Sequence, residues 1–363
     1  MPATPSLALQ GTSAAQLARA VSQLTLAEAR KVVSAVHRGL SLDGPVVGVR
    51  RASLETIRRV GYVPSLEVHA ERASLVDPFV KFALRTHDGH LIETVRIPLE
   101  HQGRYSACVS SQVGCALACR FCATGRMGLV RNLETWEIVE QVRVVRRSLP
   151  VSGGARPGGR AGARVHGVVF QGMGEPLSNL ERVLEAVATF CDPSAMAIDA
   201  RAITVCTAGL PGGIRRLARE APRVRLAISI AGGRRDVRRS LMPIEASHPL
   251  DEVIDAAVEH ARVTRLAPMW AVTLLAGVND GADDARALAE LASSFAARAG
   301  VKPRISIIPY NAIDPVDDPF SRTTDAVQSE FRSVLSANGH GSHRRYSGGA
   351  DVDAACGQLA GRA

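Results

Sequence analysis

Gly114-Cys115-Ala116-Leu117-Ala118-Cys119-Arg120-Phe121-Cys122 places three thiols in one short loop. Soft thiolates at C-x3-C-x2-C spacing, with no fourth nearby, can hold one iron-sulfur cluster and leave one iron of a [4Fe-4S] cubane open. An open iron can bind and reduce something, whereas a fully ligated cluster only passes electrons. Structural zinc is the alternative, but it usually draws on two C-x2-C pairs or a mixed Cys/His set. The flanking cysteines, Cys108 and Cys191, show no paired spacing, and His101 and His166 stand alone. Unligated thiols are the remaining reading. Phe121, just before Cys122, is suited to shielding one side of a cluster from water.

The loop follows a strand expected at 105–110, and from there strands alternate with helices. Further strands are expected at 165–171, 202–206, 224–229, 269–275 and 304–309, and helices at 134–148, 179–190, 213–219, 250–260 and 281–298. Repeated β/α units predict a parallel sheet, either open or curved into a barrel. Chemistry in such folds gathers at the C-terminal strand ends. Those ends carry the Cys loop, Gly172-Met-Gly-Glu-Pro-Leu177, Cys206-Thr-Ala-Gly209, Ser229 and Pro309-Tyr-Asn311. The glycine turn at 172–176 is neither a dinucleotide fingerprint nor a P-loop. Its two glycines permit close backbone approach to a ligand, and Glu175 could accept from an ammonium or a ribose hydroxyl. A plain strand-to-helix turn fits the same residues.

Upstream, residues 14–38 read as two helices. Ala14, Leu17, Ala18 and Val21 form an apolar stripe, and Thr25-Leu-Ala-Glu28 is a capping start. Ser53–Val60 reads as a third helix, ended by Gly61 and Pro64. The domain plan is a small helical accessory domain at 1–75, then a strand and hairpin extension at 76–104. The latter turns at His87-Asp-Gly89. The barrel follows at 105–340, with a solvated loop at 150–164, and a tail at 341–363.

The chain has 363 residues, 46% of them apolar, and no run approaches 18 apolar positions, so no transmembrane span is expected. Met1-Pro-Ala-Thr-Pro-Ser6 does not read as a signal peptide, and the expected compartment is the cytoplasm. In a reducing compartment, clustered cysteines bind metal or do chemistry more often than they form disulfides. The net charge of +9 is carried almost wholly by arginine, clustered at Arg143/Arg146/Arg147, Arg156/Arg160/Arg164, Arg234/Arg235/Arg238/Arg239 and Arg344/Arg345. Such a balance fits a polyanionic partner, and it equally fits solvated helix faces. An aromatic share of 4% argues against an extended stacking platform.

Cys356 lies in Asp351-Val-Asp-Ala-Ala-Cys-Gly-Gln-Leu359. Tails are commonly mobile and poor places for chemistry, so an incidental thiol is the plain reading. A nucleophilic role needs a thiolate. If Cys356 reached the strand-end rim, Cys108 would be its natural partner for thiol exchange.

C-x3-C-x2-C resembles the radical S-adenosylmethionine enzymes in general. The run Cys108-Val-Ser-Ser-Gln-Val-Gly-Cys115 through Cys122-Ala-Thr-Gly125 is more specific. Together with Gly172–Leu177, Leu241-Met-Pro-Ile244 and Ala354-Ala-Cys-Gly-Gln-Leu359, it resembles the RlmN/Cfr family of RNA adenine methyltransferases over about residues 90–360. The resemblance implies a partial (β/α)6 TIM-like barrel. It implies that Cys115, Cys119 and Cys122 ligate a [4Fe-4S] cluster whose open iron chelates S-adenosylmethionine. The matching cofactor positions are Gly174, Glu175, Cys206, Ser229, Ile230, Ala231 and Asn311. It also implies that Cys356 takes a methyl group from one S-adenosylmethionine. A second is cleaved to the 5′-deoxyadenosyl radical, which removes hydrogen from that S-methyl, and the carbon adds to an adenine. Cys108 then resolves the protein–RNA adduct through a disulfide with Cys356. Glu93 resembles the proton-accepting residue, and Met173 matches a methionine near this chemistry. The commonest family activity is methylation of C2 of an adenine in 23S rRNA, with tRNA as a second substrate; C8 methylation is the enzymatic alternative. The implied partners are RNA and an electron donor such as flavodoxin or ferredoxin, with no membrane and a monomeric state.

The resemblance is incomplete. Cys206-Thr-Ala-Gly replaces the common Ser-Thr-Ser-Gly, and Ser229-Ile-Ala-Gly replaces Ser-Leu-His-Ala. Ala271-Val272 stands for Glu-Tyr, and Gly348-Gly349 for Arg-Gly. Ala231 removes a potential imidazole contact, and Cys206 is a weaker donor than serine. These changes point to a divergent member with another RNA or position as target. An RNA-binding protein with a structural metal is the non-enzymatic alternative.

Overall fold

The computed structural model describes residues 6–150, 162–313 and 317–361. Most of the loop expected at 150–164, with Arg156 and Arg160, lies outside the described residues. The principal sheet has ten strands, labelled here in chain order: β1 Glu67–Ala73, β2 Val80–Arg85, β3 Leu91–Pro98, β4 Arg104–Cys108 and β5 Arg164–Phe170. They are followed by β6 Ile203–Thr207, β7 Arg225–Ser229, β8 Met269–Leu274, β9 Arg304–Pro309 and β10 Ser342–Arg344. Each strand lies beside its chain neighbour, in strictly sequential order. From β1 to β4 the pairing is antiparallel, and from β4 to β10 it is parallel.

That order separates the barrel from the open sandwich, which the periodicity could not do. A doubly wound sheet reverses its strand order at a switch point. Here the order never reverses, so right-handed crossovers put every helix on one side, as in a TIM-like barrel. The barrel is partial: β10 and β1 end the sheet as separate edges. Six long parallel strands, β4–β9, match the expected (β/α)6 unit.

The crossover helices Thr135–Arg147, Leu180–Cys191, Pro211–Glu220, Leu250–Thr264 and Ala282–Ala299 lie where the apolar periodicity put them, with ends shifted by a few residues. Two further helices, Arg235–Leu241 and Asp325–Ala337, join the set. Val168, Phe170, Ile203, Val205, Ile228, Trp270, Val272 and Ile307 are buried between sheet and helices. Each such aliphatic or aromatic burial contributes about 1.5–3 kcal/mol. Trp270 meets Phe295 of the Ala282–Ala299 helix edge-on, with ring centroids 5.3 Å apart.

The N-terminal helices are Ala14–Ala20, Leu26–His37 and Arg51–Val60, packed around Leu17, Val32, Val33, Val36 and Ile57. Thr25 and Glu28 form the expected capping box, and Glu28 also accepts from the Arg50 guanidinium at 2.8 Å. Two strand assignments correct the domain plan. β1 falls within the span expected to be helical domain, yet it pairs with β2, so the sheet begins at Glu67. Its side chains are nearly all exposed, which left no alternation to read. β10 falls within the span expected as tail and extends the parallel sheet. The hairpin turn at 87–89 is where expected, with Gly89 at φ +87°.

The arginine clusters are largely neutralised by neighbours. Arg143 and Arg147 share Glu140, Arg235 pairs with Glu245 and Asp251, Arg234 with Asp236 and Asp284, and Arg344 with Asp325. Arg238 is not on the surface at all: it is fully buried against Glu245. Among the described residues no helix is long and apolar enough to cross a membrane.

Candidate active site

At the C-terminal end of β4 the chain leaves the sheet and forms a hairpin, Gln112–Cys115 against Gly128–Asn132. Gly114 makes that turn possible. It sits at φ +75°, and a Cβ there would stand 1.9 Å from the Gly128 carbonyl oxygen. Cys115 ends the first hairpin strand, and Cys119 and Cys122 lie in the connecting turn, where Cys122 N–H donates to Cys119 O at 3.2 Å. All three thiols line one cavity at the strand ends. Burial pushes Cys115 up to about 11, and raises Cys119 and Cys122 as well. Without a bound cation these groups are held as neutral thiols. No three Cys, His, Asp or Glu side chains among the described residues close on a single point as the ligands of one ion do. Three soft thiolate donors around one cavity have the chemistry that suits an iron-sulfur cluster.

Facing the cysteines is the turn after β5. Gly174 has φ +94°, and a Cβ there would collide with the Gln112 side chain at 2.5 Å. Gln112 Oε1 accepts from Glu175 N–H at 2.8 Å, which fastens this turn to the cysteine hairpin. Glu175 accepts from Leu177 N–H at 3.0 Å and from Ala208 N–H at 2.9 Å, joining the turns after β5 and β6. Burial pushes its carboxyl up to about 7 against those donors. Cys206, near the end of β6, donates its thiol to Gln171 Oε1 at 3.7 Å, and burial pushes it up to about 12. Gly174, Glu175, Cys206 and Ser229 line the same cavity as the three cysteines.

Three other expected cofactor residues do not line it. Ile230 packs into the core, and Ala231, at φ +61°, turns the chain while its carbonyl accepts from Asn279 Nδ2 at 2.6 Å. Asn311 Nδ2 donates to Ser347 Oγ at 2.9 Å and to Cys356 O at 3.1 Å, so it holds the tail.

The tail is seated, contrary to the expectation of mobility. Ala123 N–H donates to Gly357 O at 2.8 Å, and Thr124 Oγ1 donates to Leu359 O. Cys356 lines the cavity between Gly357 and the cysteine turn. It also lines a small side chamber that it shares with Cys108, Gln171 and Arg345. Cys108 and Cys356 are both thiols, as are all seven cysteines. Glu93 does not line the cavity. It is buried, pairs with Lys81 at 2.9 Å, and accepts from Ala360 N–H at 2.7 Å and Gly361 N–H at 3.1 Å. Met173 is also enclosed, its N–H donating to Ser110 Oγ at 2.9 Å.

Several residues that organise the site were not singled out in the sequence. Arg238 donates to Ala208 O at 2.6 Å, Ser229 O at 2.8 Å, Ile230 O at 3.0 Å and Glu245 at 2.9 Å, tying together the ends of β6 and β7. Its position among four arginines masked it. Asn279 accepts from Leu275 N–H at 2.7 Å and donates to Thr273 O at 2.8 Å, which secures the end of β8. Gln171, Thr273 and Ile308 also line the cavity, each near the C-terminal end of its strand. That position was the available signal.

No family model matches the chain. Its fold is that of the radical S-adenosylmethionine methyltransferases. The crystal structure of such an enzyme from Sphaerobacter thermophilus is similar at TM-score 0.84 and 34% identity, over 98% of this chain and 100% of that one. A probable RNA methyltransferase of Sorangium cellulosum is 57% identical over 93% of this chain and 88% of its own. A probable dual-specificity RNA methyltransferase RlmN of Picosynechococcus is 38% identical over 81% of this chain and 78% of its own. The chain belongs to the RlmN/Cfr family.

Proposed function

We propose that the protein methylates a carbon of an RNA adenine, with C2 of an adenine in 23S rRNA as the principal target and tRNA as a second substrate. The reading draws on the family and on the names its relatives carry. The single observation that supports the covalent route is that Cys356 lines the same cavity as Cys115, Cys119 and Cys122, and shares a side chamber with Cys108. Those three cysteines would hold a [4Fe-4S] cluster, and Gly174, Glu175, Cys206 and Ser229 would receive S-adenosylmethionine. When bound, the cluster supplies the electron for reductive cleavage of S-adenosylmethionine.

The chain's own residues do the rest. Cys356 Sγ accepts a methyl group, and the methyl carbon becomes the bridge to the adenine. Asn311 and Ser347 hold the backbone of Cys356 and so keep the residue at the cavity. Glu93 is the proposed proton acceptor, and its two backbone donors fix the tail beyond Cys356. An aromatic adenine carbon has no leaving group and is a poor nucleophile, which is why a covalent detour helps. The base must leave its stack to reach a sulfur at this depth. An electron donor such as flavodoxin or ferredoxin would serve the cluster.

Anaerobically purified protein, reductant, S-adenosylmethionine and either a 23S rRNA fragment or tRNA transcripts provide the test. Nucleoside chromatography against authentic standards separates 2-methyladenosine from 8-methyladenosine, which have equal mass. Cys108→Ala is expected to trap a covalent RNA–protein adduct through Cys356. Colourless, zinc-containing protein, or C108A giving free methylated RNA without an adduct, would overturn the covalent reading.

A further inference from the structure

The side chamber between Cys108 and Cys356 is small, about 80 Å³. That is room for a few waters but not for a nucleotide. One wall is Arg345, which follows β10 directly and whose N–H donates to Ile307 O at 2.8 Å, so its backbone is fixed to the sheet edge. Its Nη1 is buried and finds no acceptor among the described residues. A buried cation without an anion is costly. Cys108 and Cys356 line the same chamber as Arg345, and negative charge on these sulfurs or on Cys206 would favour its cationic form.

We propose that Arg345 is the positioning residue for thiol exchange: its guanidinium receives Cys108 as a thiolate and directs it at Cys356 Sγ. The proposal rests on the covalent reading given above. Burial raises the Cys108 thiol far above its ordinary range, and negative charge on Cys356 or Cys206 raises it further. Arg345 and the Gln171 backbone N–H oppose that rise. Among the described residues that line this chamber, Arg345 is the one cation and Cys108 and Cys356 are the sulfurs; Gln171, Phe79 and Ile97 are among its other walls.

The step balances without an outside oxidant. The Cys108 sulfur gives an electron pair to Cys356 Sγ and an S–S bond forms. The bond from Cys356 Sγ to the bridging carbon breaks, and its electron pair stays on that carbon. The carbon takes up one proton and becomes the methyl group of the base, which matches the proton Cys108 gave up. Two cysteine sulfurs are oxidised by two electrons in all, and the carbon is reduced by two.

The test needs no turnover. Full-length, cluster-loaded protein is treated with iodoacetamide from pH 6 to 10, and alkylation of each cysteine is followed by peptide mass spectrometry. An opposite charge at close range shifts an ionisable group by about 1–3 pH units. Arg345→Met is therefore expected to move the Cys108 profile upward by at least about one unit, and to slow its alkylation at pH 8 by about tenfold. Arg345→Lys is expected to restore most of the rate. Altered access would slow R345K as much as R345M, and Cys191, on a separate helix, reports whether the fold is intact. Coincident profiles for the wild type and R345M, or R345K as slow as R345M, would refute the proposal. With RNA present, R345M is expected to accumulate the adduct that C108A traps. If C108A traps adduct while R345M turns over at full rate, the Arg345 assignment falls and the covalent reading stands. If neither variant traps adduct, the covalent reading falls, and the exchange role falls with it.

Discussion

Replacing Arg238 with methionine is the sharpest probe of how this site is built. The guanidinium is fully buried, and so is Glu245, its partner at 2.9 Å. Removing one member of a buried pair costs about 3–5 kcal/mol when the other charge is left bare; Glu245 keeps Arg235 at 3.0 Å, so Arg238→Met falls at the low end of that range. Arg238→Met also strips donors from Ala208 O, Ser229 O and Ile230 O, and each unsatisfied buried acceptor costs about 1–3 kcal/mol. Water reaches half-buried Ser229 more easily than the other two, so the expected loss is about 5 kcal/mol, a large part of a domain's net stability of about 5–15 kcal/mol. Glu245→Gln keeps those three acceptors satisfied and is expected to cost about 3 kcal/mol. In the double variant no unpaired charge remains, so its loss should fall short of additivity by at least about 2 kcal/mol. Urea unfolding of the four proteins reads these numbers directly. Losses that add to within about 0.5 kcal/mol, or an R238M loss below about 1 kcal/mol, would show that Arg238 does not anchor the strand ends through Glu245.

Other consequences are equally open to measurement. Burial holds buried His260 down at about 4, against an ordinary 6.5. The folded state therefore resists protonation: its full contribution is present above pH 6.5 and is lost as the pH falls toward 4, about 3 kcal/mol over that window. His260→Leu is expected to flatten the acid limb of a stability-against-pH curve, and an unchanged slope would count against the assignment. Gly114→Ala places a Cβ against the Gly128 carbonyl in a left-handed conformation, which alone costs about 1–2 kcal/mol. The hairpin that carries Cys115 should open, and the iron content of anaerobically purified protein should drop. Full iron with an unchanged melting temperature would contradict that.

Much of the barrel was legible because its strands and helices repeat apolar residues at two distinct periods. Strands β5–β9 are buried on both faces, so they read as short apolar runs between helical stripes. β1 was missed because an exposed edge strand, Glu-Val-His-Ala-Glu-Arg-Ala, has no face to bury. Arg235–Leu241 was missed because a short helix of mostly charged residues looks like loop. In the site, Glu175 and Ser229 were legible from strand-end position. Asn311 carried the same strand-end signal and Glu93 came from the family resemblance alone, but here both hold the tail rather than the cavity wall. A strand-end rule gives a residue's neighbourhood and not the direction of its side chain. Arg238 was illegible for a related reason: burial of one arginine in four depends on the distant carbonyls of Ala208 and Ile230.

The grip of Glu93 on the tail also has a consequence in time. Its partner Ala360 lies 267 residues further along the chain. At about 5–20 residues per second, a ribosome takes roughly 10–50 s to cover that distance. For most of that interval the cysteine hairpin has already been synthesised, while the segment that roofs it has not. The nascent chain thus offers its three-cysteine loop uncovered, and Cys356 arrives only when translation reaches it.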